Sequence, residues 1–263
     1  MNTSSESRGG TGAGSAAAAR VNHKAFWLFP DVDRTLVSRM RMDDVAMYST
    51  TDQRSADQIC DCLAGLLPDL RSCSVLDATA CSGGSTFAFS RRFGRVEAVE
   101  LDRQRFLDMV HNLRTLGVRV SWVTPELCRA PSIQVIRGDA VERLAAALPG
   151  AYDVVFVDPP WGGPHVYRAT PLLQLSLSGI PLSRVVRDAL KRRTARFVAL
   201  KVPANFDVSE MEEGSGGCVW ADRSIGGGRM RLLVLSAAAE EVGRRFKHKH
   251  MTSLYDTAVE EDG

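Results

Sequence analysis

Residues 153–169 read DVVFVDPPWGGPHVYRA. An apolar strand runs straight into Asp158, two prolines, Trp161 and two glycines. Pro159 and Pro160 fix φ and carry no N–H, so they make a rigid bend at the strand's end. Around such a bend the Asp158 carboxylate and the backbone carbonyls become acceptors for whatever ligand lies over the sheet edge. Trp161, held between Pro160 and Gly162, is poorly placed for a core and well placed to offer a flat aromatic face.

Three further carboxylates fall at the ends of consecutive strand-like runs. Asp77 closes SVLD and is followed by the small-residue loop ATACSGG, which includes Gly83, and then by a helix. Small side chains there let the backbone approach a ligand closely. The loop is not G-x-G-x-x-G and lacks Gly-Lys-Ser/Thr, which excludes a Walker-type triphosphate site. Glu100 stands near the end of AVELD, where an acidic side chain can take both ribose hydroxyls. Asp139, in RGDA, is placed to accept from an adenine amino group. One such residue often only caps the next helix. Three in order beside a glycine loop suit an adenosine cofactor without phosphates. S-adenosyl-L-methionine fits, because its sulfonium and ammonium are both cationic.

These residues need elements to carry them. From Cys73 onward strand and helix alternate: SVLD, then STFAFSRRF; RVEAVELD, then RQRFLDMVHNLRTLG closed by Gly117; IQVIRGDA, then VERLAAAL; YDVVFVD; LSRVVRDALKRRT, then ARFVALKVP. GCVWADRSIGGGRMRLLVLS reads as a terminal hairpin turning at Gly226–Gly228. Alternation of this kind predicts a doubly wound parallel α/β sheet with ligands at the strands' C-terminal edges. Upstream, TTDQRSADQICDCLAGLL has caps and helical spacing at Ile59, Leu63, Leu66 and Leu67. Residues 1–20 are Ser/Gly/Ala-rich and read as a disordered tail, and the tail from Glu240 is charged. No apolar run is long enough to span a bilayer, and no secretory leader pattern opens the chain, so a soluble intracellular protein is expected. The six cysteines form no Cys-x-x-Cys pair, and KHKH at 247–250 lies in a charged tail, so no metal site is expected. A net charge of +2 gives no global basic field, although Arg187, Lys191, Arg192 and Arg193 form a local patch that reads most simply as a solvated helix face.

The order of carboxylates resembles the class I S-adenosylmethionine-dependent methyltransferases from Val75 to about Ser236, with Thr79 and Cys81 where glycines are commonest. In families with Asp/Asn/Ser-Pro-Pro-aromatic loops, the loop orients an exocyclic amino group of a base toward the cofactor's methyl. The specific DPPWGGP, the Gly-Gly-x-Thr run ending at Thr86, and ALKVPANFD resemble the trimethylguanosine synthases, cap-specific guanine-N2 methyltransferases. Indole suits the delocalised cation of 7-methylguanine. With FWLFPDVD and the Tyr48–Thr51 run upstream, the resemblance spans about Lys24 to Ser236. It implies a Rossmann-like domain over 71–238, an N-terminal helical extension over 21–70 that covers the site, and tails at 1–20 and 239–263. It also implies cofactor residues Asp77, Thr79, Cys81, Gly83, Thr86, Glu100, Asp139, Ala140 and Asp158. Asp158, Pro159 and Trp161 carry catalysis, while Trp161, Phe29, Lys201 and Asn205 bind substrate. Two departures stand out: Asp158 where the family often has Ser, and Ala204 where a basic residue is common. The latter leaves Lys201, Arg168, Lys24 and Arg229 as candidates for the cap phosphates.

The expected partner is 7-methylguanosine-capped RNA or the cap nucleotide, without metal or membrane, for a monomer in the nucleus or cytoplasm. Two alternatives stay open: methylation of a base amino group in rRNA, tRNA or DNA, and non-catalytic cap binding. The number of methyl transfers is not legible in the sequence.

Overall fold

The computed structural model describes residues 23–121, 133–214 and 218–237. The expected tails over 1–20 and 239–263, with KHKH, lie outside the described residues. The strands are β1 (Ser74–Asp77), β2 (Arg95–Glu100), β3 (Val120–Ser121), β4 (Ile133–Arg137), β5 (Tyr152–Val157), β6 (Ser176–Leu177), β7 (Ile180–Pro181), β8 (Ala195–Pro203), β9 (Cys218–Ile225) and β10 (Met230–Ser236). Eight of them form one sheet in the order β3-β4-β2-β1-β5-β8-β10-β9, and β6 pairs with β7 separately. The pairs from β3 through β8 are parallel, and β10 runs antiparallel to both β8 and β9. This is the doubly wound α/β sheet expected, closed by the expected hairpin, whose Gly226, Gly227 and Gly228 all take positive φ.

The helices are α1 (His23–Leu28), α2 (Arg34–Val37), α3 (Ala46–Ser49), α4 (Gln53–Ala64), α5 (Gly84–Arg92), α6 (Arg103–Thr115), α7 (Ala140–Ala146), α8 (Pro164–Ala169), α9 (Leu182–Lys191) and α10 (Val208–Gly214). The central strands are apolar on both faces because helices cover both. Val75, Val154, Phe156, Phe197 and Ala199 share one core with Ile59 and Leu63 of α4, Phe89 of α5 and Met109 and Leu113 of α6. Their alternate neighbours Leu76, Val155, Val157, Val198 and Leu200 share a second core with Leu182, Val186 and Leu190 of α9. Short β3, the β6–β7 pair, α8 and α10 were not separable in the sequence, because each is too brief for its periodicity to register.

Order along the sheet reverses at β1, with β2 on one side and β5 on the other. The crevice at the C-terminal ends of these strands is where a doubly wound sheet binds ligands. The extension reaches the same place. Asn112 of α6 is buried and clamps the segment before α3: its Oδ1 accepts from the Arg41 N–H at 2.7 Å and its Nδ2 donates to the Arg41 carbonyl at 2.8 Å. The same Nδ2 donates to the Ser82 carbonyl at 3.1 Å, tying extension and first loop together.

Gly84 shows how close that approach is. A Cβ built there would lie 2.4 Å from the Thr51 carbonyl oxygen and 2.7 Å from Thr50 Cγ2. Gly84→Ala is therefore expected to push the extension off the loop, at a cost of about 1–3 kcal/mol of the kind measured for overpacking. A lowered urea midpoint would report it; an unchanged midpoint would mean that the extension is only loosely docked.

Candidate active site

The loops after β1 and β5 are sewn together at the switch point. The Ala78 N–H donates to the Phe156 carbonyl at 2.9 Å, and the Asp158 N–H donates to Thr79 Oγ1 at 2.7 Å. Thr79 therefore joins the two loops through its hydroxyl. Cys81 takes φ 50°, and its N–H is held by Glu100 Oε2 at 2.9 Å, so the missing glycine at this position is compensated by a specific anchor. Burial pushes its thiol up to about 12, with the Glu100 carboxylate adding, so it is inert as a nucleophile. Gly83 does take the left-handed region, at φ 96°, where a Cβ would press on Met109 Cγ at 3.3 Å.

Asp77 is fully buried at the end of β1. Its Oδ2 accepts from Thr86 Oγ1 at 2.6 Å, while Oδ1 has no partner. Burial foremost raises its pKa from the ordinary 3.8 to about 7; the Asp158 and Glu100 charges add to the rise and the Thr86 hydroxyl opposes it. Glu100 is nearly buried, and its Oε1 accepts from the Asp102 N–H at 2.8 Å with Arg105 Nε 3.7 Å away. Asp139 caps α7: Oδ1 accepts from the Val141 and Glu142 N–H groups, and Oδ2 accepts from no described residue. Ala140, next to it, is buried.

Around the Pro-Pro bend, Asp158 Oδ2 accepts from Lys201 Nζ at 2.6 Å and from Thr51 Oγ1 at 3.4 Å. Oδ1 accepts from no described residue. Burial raises the Asp158 pKa, and the Lys201 ammonium works against that rise. Trp161 is half-buried, with one side against the second core. Tyr167 packs edge-on at 5.4 Å between centroids, and Lys201 Nζ lies 5.1 Å from the indole centroid.

Three substrate expectations change. Lys201 is 4% exposed and held by Asp158, so it is an internal counter-ion rather than a phosphate ligand on the rim. Asn205 donates from Nδ2 to the Tyr167 and Thr170 carbonyls at 2.7 and 2.5 Å, so its amide braces the loop behind Trp161. Phe29, in the bend just past the end of α1, is 1% exposed inside the first core. The Tyr48–Thr51 run does reach the site, through Thr51 and through Thr50, whose hydroxyl lies 2.6 Å from Ser82 Oγ. Arg168 and Arg229 are exposed, and Arg229's carbonyl accepts from the Ala204 N–H at 3.2 Å. Two of the four cations in the basic patch along and just past α9 are engaged: Arg187 contacts Asp188, and Arg192 donates to the Ala145 carbonyl.

A carboxylate-lined cofactor crevice joined to an Asp-Pro-Pro-Trp loop agrees with what the sequence matches. Residues 72–245 match the family model for RNA cap guanine-N2 methyltransferases. The chain belongs to that family. Trimethylguanosine synthase of Schizosaccharomyces pombe is 28% identical over 174 residues, which is 65% of this chain and 65% of that protein. Trimethylguanosine synthase of Saccharomyces cerevisiae is 24% identical over 192 residues, 70% of this chain and 54% of that protein. The chain thus spans between about half and two thirds of the length of these curated relatives. A putative methyltransferase from Porphyromonas gingivalis shares the fold, with TM-score 0.54 at 12% identity, over 77% of this chain and 45% of its own.

S-adenosylmethionine is the methyl donor of this cap methyltransferase family, and the residues present fit it. The orphaned Asp77 Oδ1 is a buried acceptor that a cationic ammonium would satisfy. Glu100 and the free Asp139 Oδ2 supply acceptors on the next two strands. Leu101, 64% exposed beside Glu100, adds an apolar face that the sequence reading passed over. Exposure of a large apolar residue next to a candidate ligand carboxylate is the signal that finds it, and only a structure shows exposure.

If Asp77 meets the cofactor's ammonium, cofactor binding is expected to depend on pH. Its folded pKa lies above the ordinary value, so between about pH 4 and 7 the native protein holds a proton that the unfolded chain has lost. The stability this gives is present on the acid side and fades as pH rises through 7. An ammonium beside Asp77 favours the ionised form, so S-adenosylhomocysteine should bind more tightly as pH rises toward 8 and release a proton on binding near pH 7. Calorimetry in buffers of different ionisation enthalpy measures that proton, and Asp77→Asn should abolish it.

Proposed function

We propose that the protein transfers methyl from S-adenosylmethionine to the exocyclic N2 of a 7-methylguanosine RNA cap. The observation that carries this reading is the Asp158–Trp161 pair: a carboxylate with one free oxygen and a braced indole on one rigid bend, beside the cofactor loop. When bound, S-adenosylmethionine supplies an electrophilic methyl group on a sulfonium sulfur. Asp158 Oδ1 and the carbonyls of the bend accept the hydrogens of the amine, and this turns its nitrogen lone pair toward the cofactor crevice. An amine on a purine is nearly nonbasic, so orientation does most of the work. After transfer the nitrogen sheds one proton, for which Asp158 Oδ1 is a ready acceptor because burial has raised its pKa. Lys201 and Thr51 fix the other oxygen, so Asp158 presents a single edge. Arg168 and Arg229 are the exposed cations that flank the bend and the Ala204 segment, and they are suited to the cap phosphates.

The test is methyl transfer from labelled S-adenosylmethionine to 7-methylguanosine diphosphate beside guanosine diphosphate. Transfer to the methylated nucleotide alone is expected. Transfer to neither, with cofactor bound, would overturn the cap reading and favour a base within longer rRNA, tRNA or DNA. One or two additions per cap would be read from the product's mass.

A further inference from the structure

Trp161 has one polar side-chain atom, the indole Nε1–H, and that atom is buried without an acceptor among the described residues. The ring is therefore held by packing and not by a hydrogen bond of its own. Lys201 Nζ lies over it but is committed to Asp158. Tyr167 of α8 meets it edge-on, 5.4 Å away between centroids and inclined at 83°. Both rings are half-buried against the second core. The angle at which the indole faces a base thus depends on where α8 stands.

A helix of 6 residues is marginal by itself, and His165, Val166, Arg168 and Ala169 of α8 are exposed. Two ties hold it. At its start the bend closes tightly on the helix: a Cβ built at Gly162 would lie 2.9 Å from Val166 Cγ1. At its end the last carbonyls of a helix have no partner within the helix, and Asn205 supplies one. Its Nδ2 donates to the Tyr167 carbonyl at 2.7 Å and to that of Thr170, the C-cap residue, at 2.5 Å. Asn205 is itself anchored. Its carbonyl accepts from the Leu173 N–H at 2.9 Å, and the Leu173 carbonyl accepts from the Asp207 N–H at 2.9 Å. Leu173 and Phe206 on either side of this exchange are buried in the second core. Asn205 therefore grips, from the core side, the backbone of the residue whose ring meets the indole.

We propose that Asn205 is a positioning residue for the stacking ring: by holding the Tyr167 backbone it presets the angle of Trp161, and through that ring it sets the affinity for the base. Asn205 itself touches no part of the substrate. A platform already in place when the base arrives spares the cost of ordering α8 and the indole on binding. This inference rests on the cap reading for the nucleotide that tests it, but not for the placement of the ring.

Asn205→Leu keeps the side chain's approximate shape and removes both donated bonds. KM for 7-methylguanosine diphosphate should rise about five- to tenfold, the effect of two modest hydrogen bonds. Turnover at saturation should stay within about threefold of the parent, and S-adenosylhomocysteine affinity should not change, because Asn205 follows β8 while the cofactor carboxylates stand at β1, β2 and β4. In a Trp161→Ala background the same change should cost less than about twofold more, since its route runs through the missing ring. A full further loss there would make Asn205 a direct ligand of the substrate and overturn the proposal. An unchanged KM in the single variant, even with a lowered urea midpoint, would overturn it as well, by making the residue purely structural. Tyr167→Leu carries the same test without disturbing Asn205, whose bonds go to carbonyls: KM should rise as in Asn205→Leu, and no rise would remove the route through that ring. Tyr167→Phe keeps the ring edge and should leave KM unchanged; a rise there would assign the effect to the phenol hydroxyl instead. If the parent methylates no nucleotide, the cap reading has failed separately. Fluorine NMR of 5-fluorotryptophan-labelled protein then tests the ring alone. The Trp161 line, identified by its loss in Trp161→Phe, should shift or broaden in Asn205→Leu, and a line unchanged in position and width removes the proposal.

Discussion

Asp158→Ala is expected to lower both turnover and stability, by routes that can be separated. Turnover should fall about 10²–10³-fold, the loss typical when one preorganised group that holds the reacting centre is removed. Stability should fall by about 3–5 kcal/mol, because Lys201 is left buried without its counter-ion. Lys201→Met in the Asp158→Ala background removes the stranded charge, so the urea midpoint should recover while turnover does not. That pattern identifies Asp158 as a group that meets the substrate. Recovery of both together would make the pair purely structural. Asp158→Asn discriminates further: its amide oxygen still accepts a hydrogen from the amine, so turnover within about tenfold of the parent is the result if orientation dominates. A loss as deep as that of Ala would instead make proton removal the function of the carboxylate.

That experiment turns on a contact the sequence did not show. Asp158 and its two prolines were legible as a rigid bend at the end of β5, because proline chemistry and strand-end position are local. The strand-end placement of Asp77, Glu100 and Asp139 was legible too, since a parallel sheet brings its strand ends together wherever helices alternate with strands. What Lys201 does was not legible. A lysine near the end of an apolar strand reads as a rim cation, and only the packing of β8 beside β5 turns it inward onto Asp158. Asn205 misled for the same reason: its partners are carbonyls of α8 and the residue after it, more than thirty positions upstream. Phe29 was placed in the pocket by the family resemblance alone, yet the extension is short and buries this ring in the first core to dock. Trp27, two residues earlier, is left 82% exposed. Asp139 shows the helix-cap reading, one oxygen capping α7, while its other oxygen accepts from no described residue.

Trp161→Ala is expected to lower kcat/KM toward 7-methylguanosine diphosphate by about ten- to a hundredfold, since stacking of one base on an aromatic ring contributes about 1–3 kcal/mol. The loss should be mostly in KM, because the bend that orients the amine is made by Asp158 and the prolines and survives the change. Trp161→Tyr separates two contributions of the indole. A phenol still stacks, but its ring face attracts a cation less than indole does, by a margin within the roughly 0.5–2 kcal/mol of a cation–π contact. If the delocalised charge of the 7-methyl base is what the ring reads, Trp161→Tyr should lose affinity for the methylated nucleotide while leaving that for guanosine diphosphate unchanged. Equal losses for both nucleotides would mean that the ring supplies only area. Lys201 Nζ, 5.1 Å from the indole centroid, argues that the ring already sits in a field suited to positive charge. Its pairing with Asp158 at 2.6 Å keeps that charge from repelling a second cation, because the carboxylate neutralises it on the spot. Trp161 and Asp158 are therefore coupled through Lys201. The Trp161→Tyr/Asp158→Asn double variant should lose discrimination between the two nucleotides by more than the sum of the single changes, an excess that a double-mutant cycle reads directly.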